Sequence, residues 1–202
     1  IGGLILMQED VEKHIALLNE FQGKSKIKMM IGIDGEWGLF QRFPVAHKFP
    51  WAMTLGAIQN NNLIYEMTSK IAEDCKRMGI YWDFAPVVDV NTNPANPIIG
   101  NRSFGSDVNN VIAKGLAYAQ GLQDHGVLAS MKHFPGHGDT DKDSHLDLPI
   151  VSHHLERLDS IELAPFKTLM DKKIGGVMVA HLYVPALEKI LPHQQPVGGR
   201  TP

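Results

Sequence analysis

The chain is 202 residues long, which suits one domain or part of a larger one. Hydrophobic residues make up 44% and charged residues 20%, with a net charge of −3 and no long run of one sign. These values call for a packed core and exclude a disordered chain and a basic face for nucleic acid. No apolar run reaches the roughly 18 residues that would span a membrane, and a single cysteine, Cys75, excludes an internal disulfide.

In chain order, strand-like apolar runs alternate with amphipathic helical stretches. Gly3–Leu6 is a strand candidate, followed by a helical pattern over Glu9–Gln22. The run Lys28–Asp34 predicts the second strand, and Asn60–Met78 the next long helix, with Cys75 on its packed face. Trp82–Val90 reads as the third strand and Asp107–His125 as the third helix. Val127–His133 and Gly176–His181 are the last two strands, with a helix predicted over Leu155–Lys172 between them. Met78-Gly79-Ile80 and His125-Gly126-Val127 read as glycine C-caps that feed buried strands. Strand then helix, repeated, predicts parallel β/α architecture.

Polar residues cluster just after these strands, at Asp34–Gly38, Asn91–Gly105, Phe134–Pro149 and His181–Tyr183. An open doubly wound sheet concentrates its site at one switch point, whereas a barrel spreads it over consecutive strand ends. The spread predicts an α/β fold of the (β/α)8 TIM-like barrel type.

The richest cluster is Lys132–His145, with three His, three Asp and two Lys in 14 residues. Pro135, Gly136 and Gly138 exclude a helix there. Three readings fit: a solvated polar loop, a metal site built from His133, His137, Asp143 and His145, or acid–base chemistry on a sugar. The spacings of these four residues match no metal motif. Asp143 and His145 lie two apart across Ser144, so an extended loop points both to one side. The carboxylate would then stabilise the protonated imidazole, which would donate a proton to a leaving oxygen. Lys132, His133 and Asp34 end strands and would grip hydroxyls, and Arg42 and Arg102 add forked donors.

Lys132-His133-Phe134-Pro135-Gly136-His137-Gly138-Asp139-Thr140, two residues, then Asp143-Ser144-His145, resembles the catalytic loop of the N-acetylglucosaminidase branch of glycoside hydrolase family 3. The segments Ile33–Glu36 with Gln41–Phe43, Phe84–Val90, Asn101–Gly105 and Val177–His181 agree in the same order, so the resemblance covers residues 1–188. It implies that Asp34, Arg42, Arg102, Lys132 and His133 contact a terminal N-acetylglucosamine. It makes His145 the acid/base, paired with Asp143; His137 and Asp139 match the motif too and read as shaping the loop. No metal or organic cofactor is implied, and the partner is a small carbohydrate, an N-acetylglucosaminide such as a muropeptide or chito-oligosaccharide. The alternatives are a family 3 β-glucosidase, an N-acetylglucosamine phosphorylase, or a sugar-binding fragment without activity.

Two departures stand out. Trp37 occupies a position where many relatives have glycine. By resemblance the five strands are the second to sixth of eight, so residues 1–190 form an incomplete barrel domain and 191–202 an atypical tail. The nucleophilic aspartate, which follows the seventh strand in the family, is expected outside this chain. The first residue is not Met, so the natural N-terminus is expected upstream, leaving bacterial cytoplasm and cell envelope both open.

Overall fold

The computed structural model describes residues 2–5, 7, 10–141 and 148–188. Five parallel strands form one sheet in simple sequential order: β1 (Gly3–Ile5), β2 (Met30–Ile33), β3 (Trp82–Asp83), β4 (Leu128–Phe134) and β5 (Gly176–Val179). Each is linked to the next by a helical crossover, and the sheet curls into part of an α/β barrel, as the strand–helix alternation predicts. Among the described residues β1 and β5 each keep one edge without a partner strand.

The crossovers carry the helices α1 (Val11–Lys24), α2 (Ala52–Gly56), α3 (Asn61–Arg77), α4 (Val108–Gln123), α5 (Leu155–Ser160) and α6 (Leu163–Asp171). Their starts have a local cause. Asp10 caps α1 by accepting from the amides of Glu12 and Lys13, and Asp107 caps α4 by accepting from Asn110. The predicted glycine caps are present: Gly79 and Gly126 have φ of 72° and 82°. The amides that follow, of Ile80 and Val127, return to the carbonyls of Cys75 and Leu122. On α3 the buried residues Ile64, Thr68, Ile71, Ala72 and Cys75 recur at helical spacing, with Thr68 set against Gly121 of α4. They meet Ile31, Ile33, Ala129 and Met131 from the strands, with Tyr118, Leu122, Phe166 and Leu169 completing the core. Cys75 is fully buried there, and that burial pushes its thiol well up. None of the described helices is long and apolar enough to cross a membrane.

Several predicted elements come out shorter, for example Lys28–Asp34 as Met30–Ile33, and two depart most. The helix expected over Leu155–Lys172 is split at Ile161–Glu162 into α5 and α6. Pro165 has no amide to return to the carbonyl of Ile161, so an unbroken helix is barred. In the first turn of α6 the missing donor costs nothing. The strand expected over Trp82–Val90 reduces to Trp82–Asp83. Pro86 again lacks a donor, and the chain around it runs along β4 through the bonds Ser130 N to Ala85 O, Lys132 N to Pro86 O and Val88 N to Lys132 O.

Candidate active site at the carboxyl ends of the strands

Asp34 follows the last residue of β2, and Lys132 and His133 are among the last three residues of β4. Arg42 closes a 3-10 turn at Leu39–Gln41, and Arg102 ends another at Gly100–Arg102. These five residues form one continuous network. The Asp34 carboxylate accepts from Arg42 Nη2 at 2.7 Å and from Lys132 Nζ at 2.9 Å. Lys132 also lies 2.9 Å from Glu36 Oε1. Glu36 in turn takes the Arg102 guanidinium as a fork, Nε at 2.9 Å and Nη2 at 2.7 Å. Arg102 Nη2 reaches His133 Nε2 at 3.2 Å, and His133 Nδ1 lies 2.7 Å from Asp89. A guanidinium can only donate, so Nε2 accepts and Nδ1 carries the proton donated to Asp89.

Burial separates the members by task. The Lys132 and Glu36 side chains are 2% and 6% exposed. Those of Asp34, Arg42 and Arg102 are 22%, 17% and 22% exposed. The buried pair therefore holds the network together, and the half-buried groups face outward with one carboxylate and two forked donors. Alternating charge lets so many ionised groups share one place. Burial alone would raise the Glu36 carboxyl, but Lys132 and Arg102 outweigh it and hold it down at about 2. Burial likewise works against ionised Asp34, and Lys132 and Arg42 keep it below the usual range.

A depressed carboxyl stabilises the fold above its ordinary value, 4.5 for Glu36, and that contribution disappears as the pH falls through about 2. Denaturant midpoints should therefore decline as the pH is lowered from about 5 to about 2. Glu36→Gln should be less stable at neutral pH and show a shallower acid decline. Parallel curves for the two proteins would contradict this.

The post-strand loops are anchored together. Asp89 is fully buried and accepts from the amides of His133 and His137, the latter at 2.7 Å. Burial disfavours its charge, but His133 and these amides hold its carboxyl below the usual range. The His137 ring meets Thr140 Oγ1 at 2.5 Å, and Asn96 donates to the His137 carbonyl at 2.8 Å. Asp139 accepts from Thr92 at 2.9 Å and pairs closely with His153. His137 and Asp139 thus bind neighbouring loops, in line with a role in loop shape. Asp143 and His145 lie outside the described residues.

Two carboxylates at this site, Glu36 and Asp89, and a third buried beneath it, Asp83, escaped sequence reasoning. Their signal was present. Asp83 and Asp89 are charged residues inside the apolar run Trp82–Val90, and Glu36 follows Asp34 by two. The Trp37 ring, beside Glu36, is partly buried and packs against Trp51 with centroids 4.1 Å apart.

Known proteins share this framework. Residues 1–197 match the model of the glycosyl hydrolase family 3 N-terminal domain. The chain is 38% identical to Beta-hexosaminidase A of Pseudoalteromonas piscicida, over 93% of this chain and 34% of that protein. It superposes on a glycoside hydrolase family 3 β-N-acetylglucosaminidase from Paenibacillus sp. str. FPU-7 with a TM-score of 0.85 at 38% identity, covering 93% of this chain and 37% of that one. It also superposes on NagZ from Neisseria gonorrhoeae in complex with N-trifluoroacetyl-D-glucosamine, with a TM-score of 0.85 at 32% identity, covering 93% and 58%. The chain thus spans about a third of the hexosaminidase's length. Sequence match and shared architecture agree over nearly all of it, and the chain belongs to glycoside hydrolase family 3, within that family's N-terminal domain.

Proposed function

We propose that this chain provides the sugar-binding and acid/base side of a retaining β-N-acetylhexosaminidase that removes terminal, non-reducing β-linked N-acetylglucosamine. The observation that carries the reading is the joined network of Asp34, Arg42, Arg102, Lys132 and His133 at the strand ends. A pyranose offers hydroxyls that need both donors and acceptors. Asp34 supplies the acceptor, Arg42 and Arg102 supply donors, Lys132 has one N–H beyond those given to Asp34 and Glu36, and His133 is held in one tautomer between Arg102 and Asp89. Asp143 and His145 are the proposed proton-transfer pair, with His145 as the acid/base. In a retaining mechanism a nucleophile attacks the anomeric carbon from the opposite face, and water then hydrolyses the glycosyl-enzyme. That nucleophile is proposed to be an aspartate outside residues 1–202. Natural substrates in this reading are muropeptides or chito-oligosaccharides.

The test is titration of N-acetylglucosamine into the protein by calorimetry, alongside an assay on an aryl N-acetylglucosaminide. Saturable binding without turnover is expected. Asp34→Ala should weaken binding about 10- to 100-fold, the loss for one charged hydrogen-bonding partner. Equal affinity for N-acetylglucosamine in Asp34→Ala and wild type would sink the site. Turnover that labels a carboxylate within the chain would overturn the placement of the nucleophile.

A further inference from the structure

We propose that Asp83, which does not itself reach the outward face of the site, is a positioning residue that sets the turn Asp34–Gly35–Glu36 from beneath and tunes it by gaining or losing a proton. As a statement about sugar binding this rests on the reading above. Asp83 ends β3 beside Ile33 of β2 and is completely buried. Its Oδ1 accepts the Gly35 amide at 2.8 Å. The fit is close: a Cβ added at Gly35 would lie 3.1 Å from both Asp83 oxygens, so the turn rests directly on this carboxyl. Tyr118 holds the same turn from α4, its hydroxyl donating to the carbonyls of Gly35 and Glu36 at 3.2 and 3.1 Å. Two buried side chains thus fix the peptide units that aim Asp34 and Glu36 at their cations.

Asp83 differs from Tyr118 in being able to change charge. Its Oδ2 is buried without a hydrogen-bond partner among the described residues. The groups around it are Asp34 and Glu36 beyond β2, Lys132 on β4, Cys75 on α3 and Tyr118 on α4. Burial pushes the carboxyl up to about 7, with Asp34 and Glu36 adding to the rise and Lys132 and the Gly35 amide opposing it. The Cys75 thiol and Tyr118 phenol are both pushed well up and stay neutral near pH 7, so neither competes for the proton. Below that pH Asp83 is a neutral acceptor, and Lys132 serves Asp34 and Glu36 alone. Above it a third carboxylate adjoins the same ammonium and grips the Gly35 amide more strongly.

The test follows the Gly35 amide by nuclear magnetic resonance while the pH is raised from 5.5 to 8.5, in wild type and Asp83→Asn. Asparagine keeps an oxygen for Gly35 but cannot ionise. The amide should titrate with a midpoint near 7 in wild type and stay flat in Asp83→Asn. N-acetylglucosamine affinity should be within about threefold of wild type at pH 6 in Asp83→Asn and fall at least tenfold in Asp83→Ala, which leaves the Gly35 amide unsatisfied. A wild-type amide that does not move, or that moves equally in Asp83→Asn, overturns the proposal. So does an alanine variant that binds as wild type. If wild type binds no N-acetylglucosamine, the sugar-binding reading fails, and the amide titration still decides whether Asp83 governs the turn.

Discussion

Lys132→Met should destabilise the protein by about 3–5 kcal/mol at neutral pH, the range for removing one partner of a buried ion pair. Methionine nearly preserves the side chain's volume, so packing changes little. The electrostatic change is large: Asp34 and Glu36 both lose the ammonium they share at 2.9 Å. Glu36 suffers most: it keeps the Arg102 fork, but its side chain is 6% exposed and water cannot replace the lost ammonium. Asp34 keeps Arg42 and some contact with water, which places its share at the lower end. Two further results follow. The destabilisation should shrink as the pH falls and Glu36 takes up a proton, because a neutral carboxyl needs no counter-ion. Adding Glu36→Gln to Lys132→Met should recover part of the loss, since the buried carboxylate that has lost one of its two cations is removed with it. Urea denaturation of the single and double variants checks both. A single-variant loss under about 1 kcal/mol would show that the ammonium is not the counter-ion of a dry pair.

His145→Ala, in a longer protein that turns over N-acetylglucosaminides, should slow release of poor leaving groups by about 10²–10⁴-fold. An alkoxide leaving group needs a proton as the glycosidic bond breaks, whereas a nitrophenolate leaves with little help. The same variant should therefore lose far less on a nitrophenyl N-acetylglucosaminide, until hydrolysis of the glycosyl-enzyme becomes limiting. Asp143→Asn should follow the same pattern at smaller amplitude, because the imidazolium would lose its counter-charge and not its proton. Steady-state rates on an alkyl and a nitrophenyl substrate make the comparison. Equal losses on both would argue against His145 as the acid.

The two predictions draw on different kinds of information. His145 and Asp143 rest on sequence motif alone, since both lie outside the described residues. Lys132 rests on geometry. Sequence placed Lys132 at a strand end with hydroxyl-binding chemistry in view. Structure shows an ammonium already engaged by two carboxylates, one of which, Glu36, had not been counted as a site residue. A motif orders residues along the chain, but the partner of a buried charge comes from another strand, here 98 residues away in the Lys132–Asp34 pair. Asp89 makes the same point. Its place in an apolar run marked it as unusual, and only the packing of β4 beside that run shows that it fixes the His133 ring.

What the sequence by itself determined is local and periodic: strands alternating with helices, the glycine caps at Gly79 and Gly126, and site residues gathered after the strands. These follow from side-chain period and backbone preference, which act within a few residues. Tertiary structure decided where the elements stop and what each charge meets. Pro86 shortened a strand and Pro165 divided a helix once their missing donors were set against real neighbours. The three buried carboxylates acquired their roles because ionised groups away from water must be paired or hydrogen-bonded, and the partners are set by which strand ends the folded sheet brings together.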